Sequence, residues 1–186
     1  ESILPVFNVT DKGVTGRLKG HIRVAGTAKN PDIWLTGGLT QGSIKKYPLD
    51  YIQVNLALEN RVLKVYELSA RQGNGVLKAA GTADLDGELK LEIGGENIDA
   101  GLISTWFDMA VPTQGQLQFA AQITGTTQSP HAAVSLEVNK GGIGSATFDS
   151  LYGLFILEKG NIQVNQVLLL KGPYRASAYG NIPVAA

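Results

Sequence analysis

The chain has 186 residues, with sixteen basic residues against sixteen acidic ones and no cysteine. A formal net charge of zero gives no overall electrostatic pull on nucleic acid or an anionic membrane surface, and without cysteine there is neither a disulfide framework nor a thiolate metal site. No apolar run approaches the ~18 residues of a membrane helix, and Glu1-Ser2-Ile3 lacks the basic and apolar regions of a signal peptide, so the piece is expected to be soluble.

Residues 1–15 read as the end of a preceding unit, where Pro5 allows at most a short helical turn. From Gly16, Leu18, Gly20, Ile22 and Val24 alternate with Arg17, Lys19, His21 and Arg23, the period-two pattern of a half-buried strand, and Gly26-Thr27-Ala28-Lys29-Asn30-Pro31 ends it. Ile33, Leu35, Gly37 and Leu39 form a second strand. Gly42-Ser43 and Tyr47-Pro48-Leu49-Asp50 bracket a short third, and Ile52, Val54, Leu56 and Leu58 make a clear fourth.

Asn60-Arg61 is a two-residue hairpin turn, since Asn tolerates the left-handed conformation such turns need. In the strand that follows, Leu63 and Val65 share a face and Leu68 falls out of step, which predicts a β-bulge near Glu67. Leu77, Ala79, Gly81, Ala83 and Leu85 face one way before Asp86-Gly87 turns the chain into Leu89, Leu91 and Ile93. The alternation then breaks. Leu102, Ile103, Trp106 and Phe107 lie at helical spacing within 98–109, with Asp99 as N-cap and Pro112 beyond the end.

The layout then starts again. Sliding 16–85 onto 115–184 without a gap gives 14 identities in 70 positions, where chance gives about five for this composition. Many of the matches are turn residues, as two copies of one strand-and-turn plan would keep. The expected organisation is one elongated module over 1–186, with 1–15 closing an earlier repeat, 16–114 the first repeat and 115–186 a partial second. In the second repeat Leu154 to Leu157 and Val167 to Leu170 are apolar on both sides, so part of their outer face is expected to be covered.

About thirteen strands with one apolar face each, and a single helix, pose a burial problem, because each aliphatic side chain left in water forgoes roughly 1.5–3 kcal/mol. The expected fold is therefore all-β, a meandering sheet that curls on itself into a trough with an apolar inside. Gly20, Gly37, Gly81 and Gly180 occupy inward positions and suit sharp curvature. Candidate groove-lining residues are Leu18, Ile22, Val24, Val54, Leu56, Leu58, Leu77, Leu89, Leu91, Ile93, Leu117, Phe119, Ile123, Val134, Leu136, Ile162 and Val164. Unpaired terminal strands, as around Ile182 to Ala185, are expected to self-associate.

Groups for catalysis or metal binding are sparse. His21 stands between Lys19 and Arg23 on the polar face and reads as a solvated histidine, and His131 has no carboxylate at ligand spacing. Asp84, Asp86 and Glu88 resemble a calcium-loop spacing but fall on a hairpin turn. Gly141-Gly142-Ile143-Gly144 lacks the helix and Lys-Ser/Thr of a phosphate loop, and Ser145 and Ser150 have no adjacent base. No enzyme activity, cofactor or metal is expected.

Three stretches, Gly16–Pro31, Gly42-Ser43-Ile44 with Leu49-Asp50, and Gly75 to Gly87, together with the Leu102-Ile103-x-x-Trp106-Phe107 segment before the next Gly-x-Leu, resemble in order and spacing the repeats of the TamB and AsmA-like family. The similarity spans nearly the whole chain. It implies a U-shaped β-sheet in the periplasm of a two-membrane bacterium, within a parent anchored in the inner membrane. The implied cargo is phospholipid, held by its acyl chains. The alternative it implies is a structural or chaperoning module that assists an outer-membrane β-barrel protein by strand pairing. The resemblance carries over no catalytic residue.

Overall fold

The computed structural model describes residues 6–11, 14–44, 47–106 and 109–183. They form one antiparallel sheet whose twelve strands follow chain order without a crossover. The first seven are β1 (Val6–Asp11), β2 (Val14–Thr27), β3 (Asn30–Ile44), β4 (Tyr47–Glu59), β5 (Val62–Gln72), β6 (Gly75–Asp84) and β7 (Leu89–Asp99). After the helix α1 (Gly101–Trp106) come β8 (Thr113–Gly125), β9 (Pro130–Ile143), β10 (Ala146–Glu158), β11 (Asn161–Lys171) and β12 (Tyr174–Pro183). β1 and β12 do not pair, so the sheet is open and not a barrel.

Three sequence expectations are corrected. The first is the short third strand. Gln41, at φ 50°, bulges β3 against Gly16 of β2 without ending it, so Gly42–Ile44 belong to β3 and Tyr47 starts β4. Val6–Asp11, expected to hold at most a helical turn, is a strand paired to β2; Pro5 itself lies outside the described residues. The helix begins later than residue 98, because Ile98 and Asp99 still pair with Leu117 and Gln116 in the sheet. Asp99 caps it, its Oδ1 accepting the Gly101 N–H at 2.8 Å. Phe107 lies outside the described residues.

The bulge in β5 falls where the spacing put it. Its register on β6 steps from Val65↔Gly81 to Leu68↔Ala79, so Tyr66 and Glu67 together face one residue and Leu63, Val65, Leu68 and Ala70 stay on one side. The Asn60-Arg61 turn has φ of 50° and 65°, both left-handed, as a two-residue hairpin requires.

Backbone features recur at an interval of 99 residues. Gly26 and Gly125 share φ of 81° and 86°, and Gln41 and Lys140 share 50° and 49°. The β5 register step between Val65 and Leu68 returns in β11 between Val164 and Val167. Asp50 accepts the Gly73 N–H at 2.7 Å and Asp149 accepts the Gly172 N–H at 2.6 Å. Strands β2 to β6 thus have β8 to β12 as counterparts, with β7 and α1 between the two sets.

The sheet is curled, and on its apolar side neighbouring strands approach closely at particular glycines. A Cβ added at Gly20 would stand 2.8 Å from the Thr36 carbonyl oxygen, and one at Gly37 would stand 2.8 Å from the Lys19 carbonyl and 3.0 Å from Gly20 Cα. Real Cβ atoms essentially never come within 3.0 Å of another heavy atom, so these glycines are where β2 and β3 close on each other. Gly81 meets β7 in the same way, whereas Gly180, in the edge strand β12, has nothing within 4 Å. The accessible surface is 12430 Å², against about 8,600 Å² for a compact chain of this mass. The excess belongs to an open trough.

Candidate functional site

Pairing across the sheet puts directly opposed residues on one face, so the faces can be read strand by strand. One row runs Leu18, Leu39, Ile52, Ala70, Leu77, Gly95, Phe119, Leu136, Gly153, Val167 and Ala178, from β2 to β12 without a polar residue. A parallel row runs Ile22, Leu35, Leu56, Val65, Gly81, Leu91, Ile123, Ala132, Leu157, Ile162 and Ile182. Between them lies Gly20, Gly37, Val54, Leu68, Ala79, Ile93, Ala121, Val134, Phe155, Val164 and Gly180. Eleven strands at about 4.8 Å make each row roughly 50 Å long.

All seventeen residues chosen from the sequence fall on this face; Val24, Leu58 and Leu89 lie towards one rim and Leu117 towards the other. The structure adds Leu35, Leu39, Ile52, Leu63, Val65 and Leu68 from the first repeat and Leu151, Phe155, Leu157, Val167 and Leu169 from the second. Alternation in the second repeat is blurred because both faces of β10 and β11 are apolar, so only the register assigns Phe155 and Leu157 inward and Leu154 and Ile156 outward. Most of the inner side chains are half-buried, and among the described residues no large side chain is fully buried.

A packed cluster lies where α1 folds over the trough. Ile98, Ala100, Leu102, Leu117, Val138 and Phe148 form a buried cluster, with Phe119, Leu136, Leu151 and Leu169 against it. Thr113 fixes the helix, its Oγ1 donating to the Ala100 carbonyl at 2.6 Å and accepting the Ser104 N–H at 3.2 Å. Beside this cluster, Leu49, Ile52, Leu68, Ala70, Leu77, Ile98 and Leu102 enclose most of an apolar niche of 230 Å³ that opens along the rows. Gly95 and Gly153 leave room for rings: a methyl group at either would run into Phe119 or Phe155.

Outside β10 and β11 the outer face is polar, and it carries the Glu59–Lys64 pair. Glu59 accepts from Trp34 Nε1 at 3.0 Å and from Lys64 Nζ at 2.6 Å, roofing Ala57, which is 1% exposed. The Lys64 hydrogen bond, aided by its charge and by Trp34, holds the Glu59 carboxyl below its usual range against the opposing effect of desolvation. At the rim Arg61 grips Asp86 with two hydrogen bonds, through Nε and through Nη2, the latter at 2.8 Å. This tie joins the β4–β5 and β6–β7 turns and lowers the Asp86 pKa. Asp86 is thereby engaged by Arg61 and Glu88 by Lys90, at 3.1 Å, and the three acids of the calcium-like spacing form no ligand cluster. Ser150 Oγ bonds Asn139 Oδ1 at 2.8 Å, and Gly141 and Gly142 are buried at the end of β9.

The fold and face together define a class: an open, curled antiparallel sheet with one continuous apolar lining and an exterior that is polar except along β10 and β11. Comparison with protein-family profiles, curated proteins and solved structures gives no significant match.

Proposed function

We propose that this chain is a segment of a hydrophobic conduit that carries phospholipids by their acyl chains, within a periplasmic protein anchored in the inner membrane. The observation that carries the reading is the set of uninterrupted apolar rows, roughly 50 Å long, most of whose side chains the described residues leave half-exposed. Each such side chain forgoes part of roughly 1.5–3 kcal/mol, which an acyl chain lying along the row restores. Acyl chains need no polar recognition, and the rows offer none. The motif order shared with TamB and AsmA-like repeats supports the compartment and the cargo.

The test is photocrosslinking from probes at Leu56, Leu91 and Phe119, which face inward, against Gln53, Lys90 and Gln118, which face outward. Lipid should label the first set and spare the second; equal labelling removes the groove. In the full-length parent, Leu91→Arg or Phe119→Arg puts a charge in the path at a desolvation cost of several kcal/mol and should stall transfer. Normal lipid transfer with either variant, together with crosslinks to client β-strands, would favour the structural or chaperoning role.

A further inference from the structure

The two repeats share a backbone plan but not an outer face, and the difference is one of charge. On β2 the outward side chains are Arg17, Lys19, His21 and Arg23, all exposed. At the matching positions of β8, 99 residues on, stand Gln116, Gln118, Ala120 and Gln122. Strand geometry does not ask for cations here, since the second repeat builds the same strand without them. Zero net charge therefore conceals a segregated stripe.

The stripe is not neutralised from within. Thr40, Gly38, Thr36 and Trp34 oppose it on β3, and none carries a charge. Among the described residues no carboxylate makes an ion pair with Arg17, Lys19 or Arg23. Outward side chains two apart on a strand are about 6.8 Å from each other, so the four positions span roughly 20 Å in a line. The hollow beside them is open to solvent, and the one carboxylate in its lining, Glu67 on β5, makes no ion pair with the stripe. Such a line suits an extended array of negative charge.

Aromatic rings on the same face narrow the choice of array. Trp34 lies under Arg23, whose guanidinium is 5.1 Å from the ring centre, and Tyr51 lies beside Arg71 at 5.6 Å. Their counterparts in the second repeat are Ala133 and Ser150. Cations interleaved with Trp and Tyr are the side chains that settle at a bilayer's headgroup level, with aromatic bodies and long aliphatic stems against the lipid and charges towards phosphate. We infer that the outer face of β2–β4 is a docking surface for a bilayer that exposes anionic phospholipid headgroups. This binding is separate from occupation of the trough and can fail or hold independently of it.

The experiment measures partitioning of the 186-residue chain onto phosphatidylcholine vesicles with and without about one-third phosphatidylglycerol. Binding should require the anionic lipid and fall steeply between about 0.05 and 0.5 M salt. Replacing Arg17, Lys19 and Arg23 together by Gln, as the second repeat has it, should weaken binding roughly fivefold per charge, on the order of a hundredfold in all. The converse variant, Gln116→Arg with Gln118→Lys and Gln122→Arg, should strengthen it, and circular dichroism checks that both fold. Lipid crosslinking inside the trough should be the same in either variant. Equal partitioning onto neutral vesicles, or an undiminished triple variant, overturns the inference. So does tight binding of polyglutamate by a chain that ignores anionic vesicles, which would assign the stripe to an acidic protein.

Discussion

Gly81 and Gly180 offer a controlled measurement of the curl, because they are the same position in the two repeats. Their φ angles are 133° and 156°, so an added side chain meets a similar backbone penalty at both, about 1–3 kcal/mol. Their surroundings differ. A Cβ at Gly81 would fall on the Lys90 carbonyl oxygen and lie 2.8 Å from Leu91 Cα, while at Gly180 it would meet nothing within 4 Å. The obstacle at Gly81 is backbone, which cannot rotate aside, so β6 and β7 must separate at a further cost of about 1–3 kcal/mol. Gly81→Ala should then cost roughly 2–6 kcal/mol and Gly180→Ala only the shared part. In a strand array held by neighbours the loss is local, so amide hydrogen exchange at Lys90 to Glu92 is the suitable assay. An excess of 1–3 kcal/mol corresponds to opening roughly five to a hundred and fifty times more frequent. Equal losses in the two variants would refute the claim that close strand approach at inward glycines bends the sheet.

Two further outcomes follow from the rims and the edges. Arg61 depresses the Asp86 pKa, so the stabilisation from this pair is fully present above the ordinary aspartate range and is lost as pH falls through the lowered folded value. Thermal midpoints of the wild type and of Asp86→Asn should differ at neutral pH and converge in strong acid; both groups are exposed, so high salt should shrink the difference, and a gap that persists at low pH would count against the pair. β12 is exposed along its whole length and has no strand on its outer side in this chain, so concentration-dependent sedimentation should show association; a strict monomer at high concentration would oppose it.

The alternation of apolar and polar residues made the inner face legible wherever the outer face was polar, as in β2, β4 and β7. It failed for β10 and β11, where Tyr152, Leu154 and Leu168 are outward yet apolar, because periodicity carries no information when both faces are greasy. The Gly42-Ser43 punctuation was misread for a related reason. A bulge at Gln41 uses the same residue types as a turn, and only the continued pairing of Gly42, Ser43 and Ile44 with β4 separates the two. The helix start was read early because Ile98 and Asp99 suit a cap and a first turn as well as a last pair of strand residues. The cation stripe was visible residue by residue but cancelled in the net charge, and its meaning came only from the neutral counterpart strand.

That contrast bears on how such a chain can divide its tasks. In an alternating strand, one inserted residue would send every later side chain to the opposite face, so a bulge is dangerous unless a second offset compensates for it. Here the bulge that sets Gln41 and Gly42 against Gly16 and the bulge at 65–68 both return 99 residues later, with Lys140 and Gly141 against Gly115 and at 164–167, and after each of them the aliphatic residues are still inside. The backbone irregularities and the inner lining therefore constrain each other, and they hold in both repeats although only 14 of 70 residues are identical. The outer face lies under no such coupling. Arg17 against Gln116, Trp34 against Ala133 and Arg71 against Leu170 change charge, bulk and polarity while the strand boundaries shift by no more than one residue. A sheet open on both sides can in this way keep one surface fixed for what runs along the trough and vary the other, repeat by repeat, for whatever the exterior must touch.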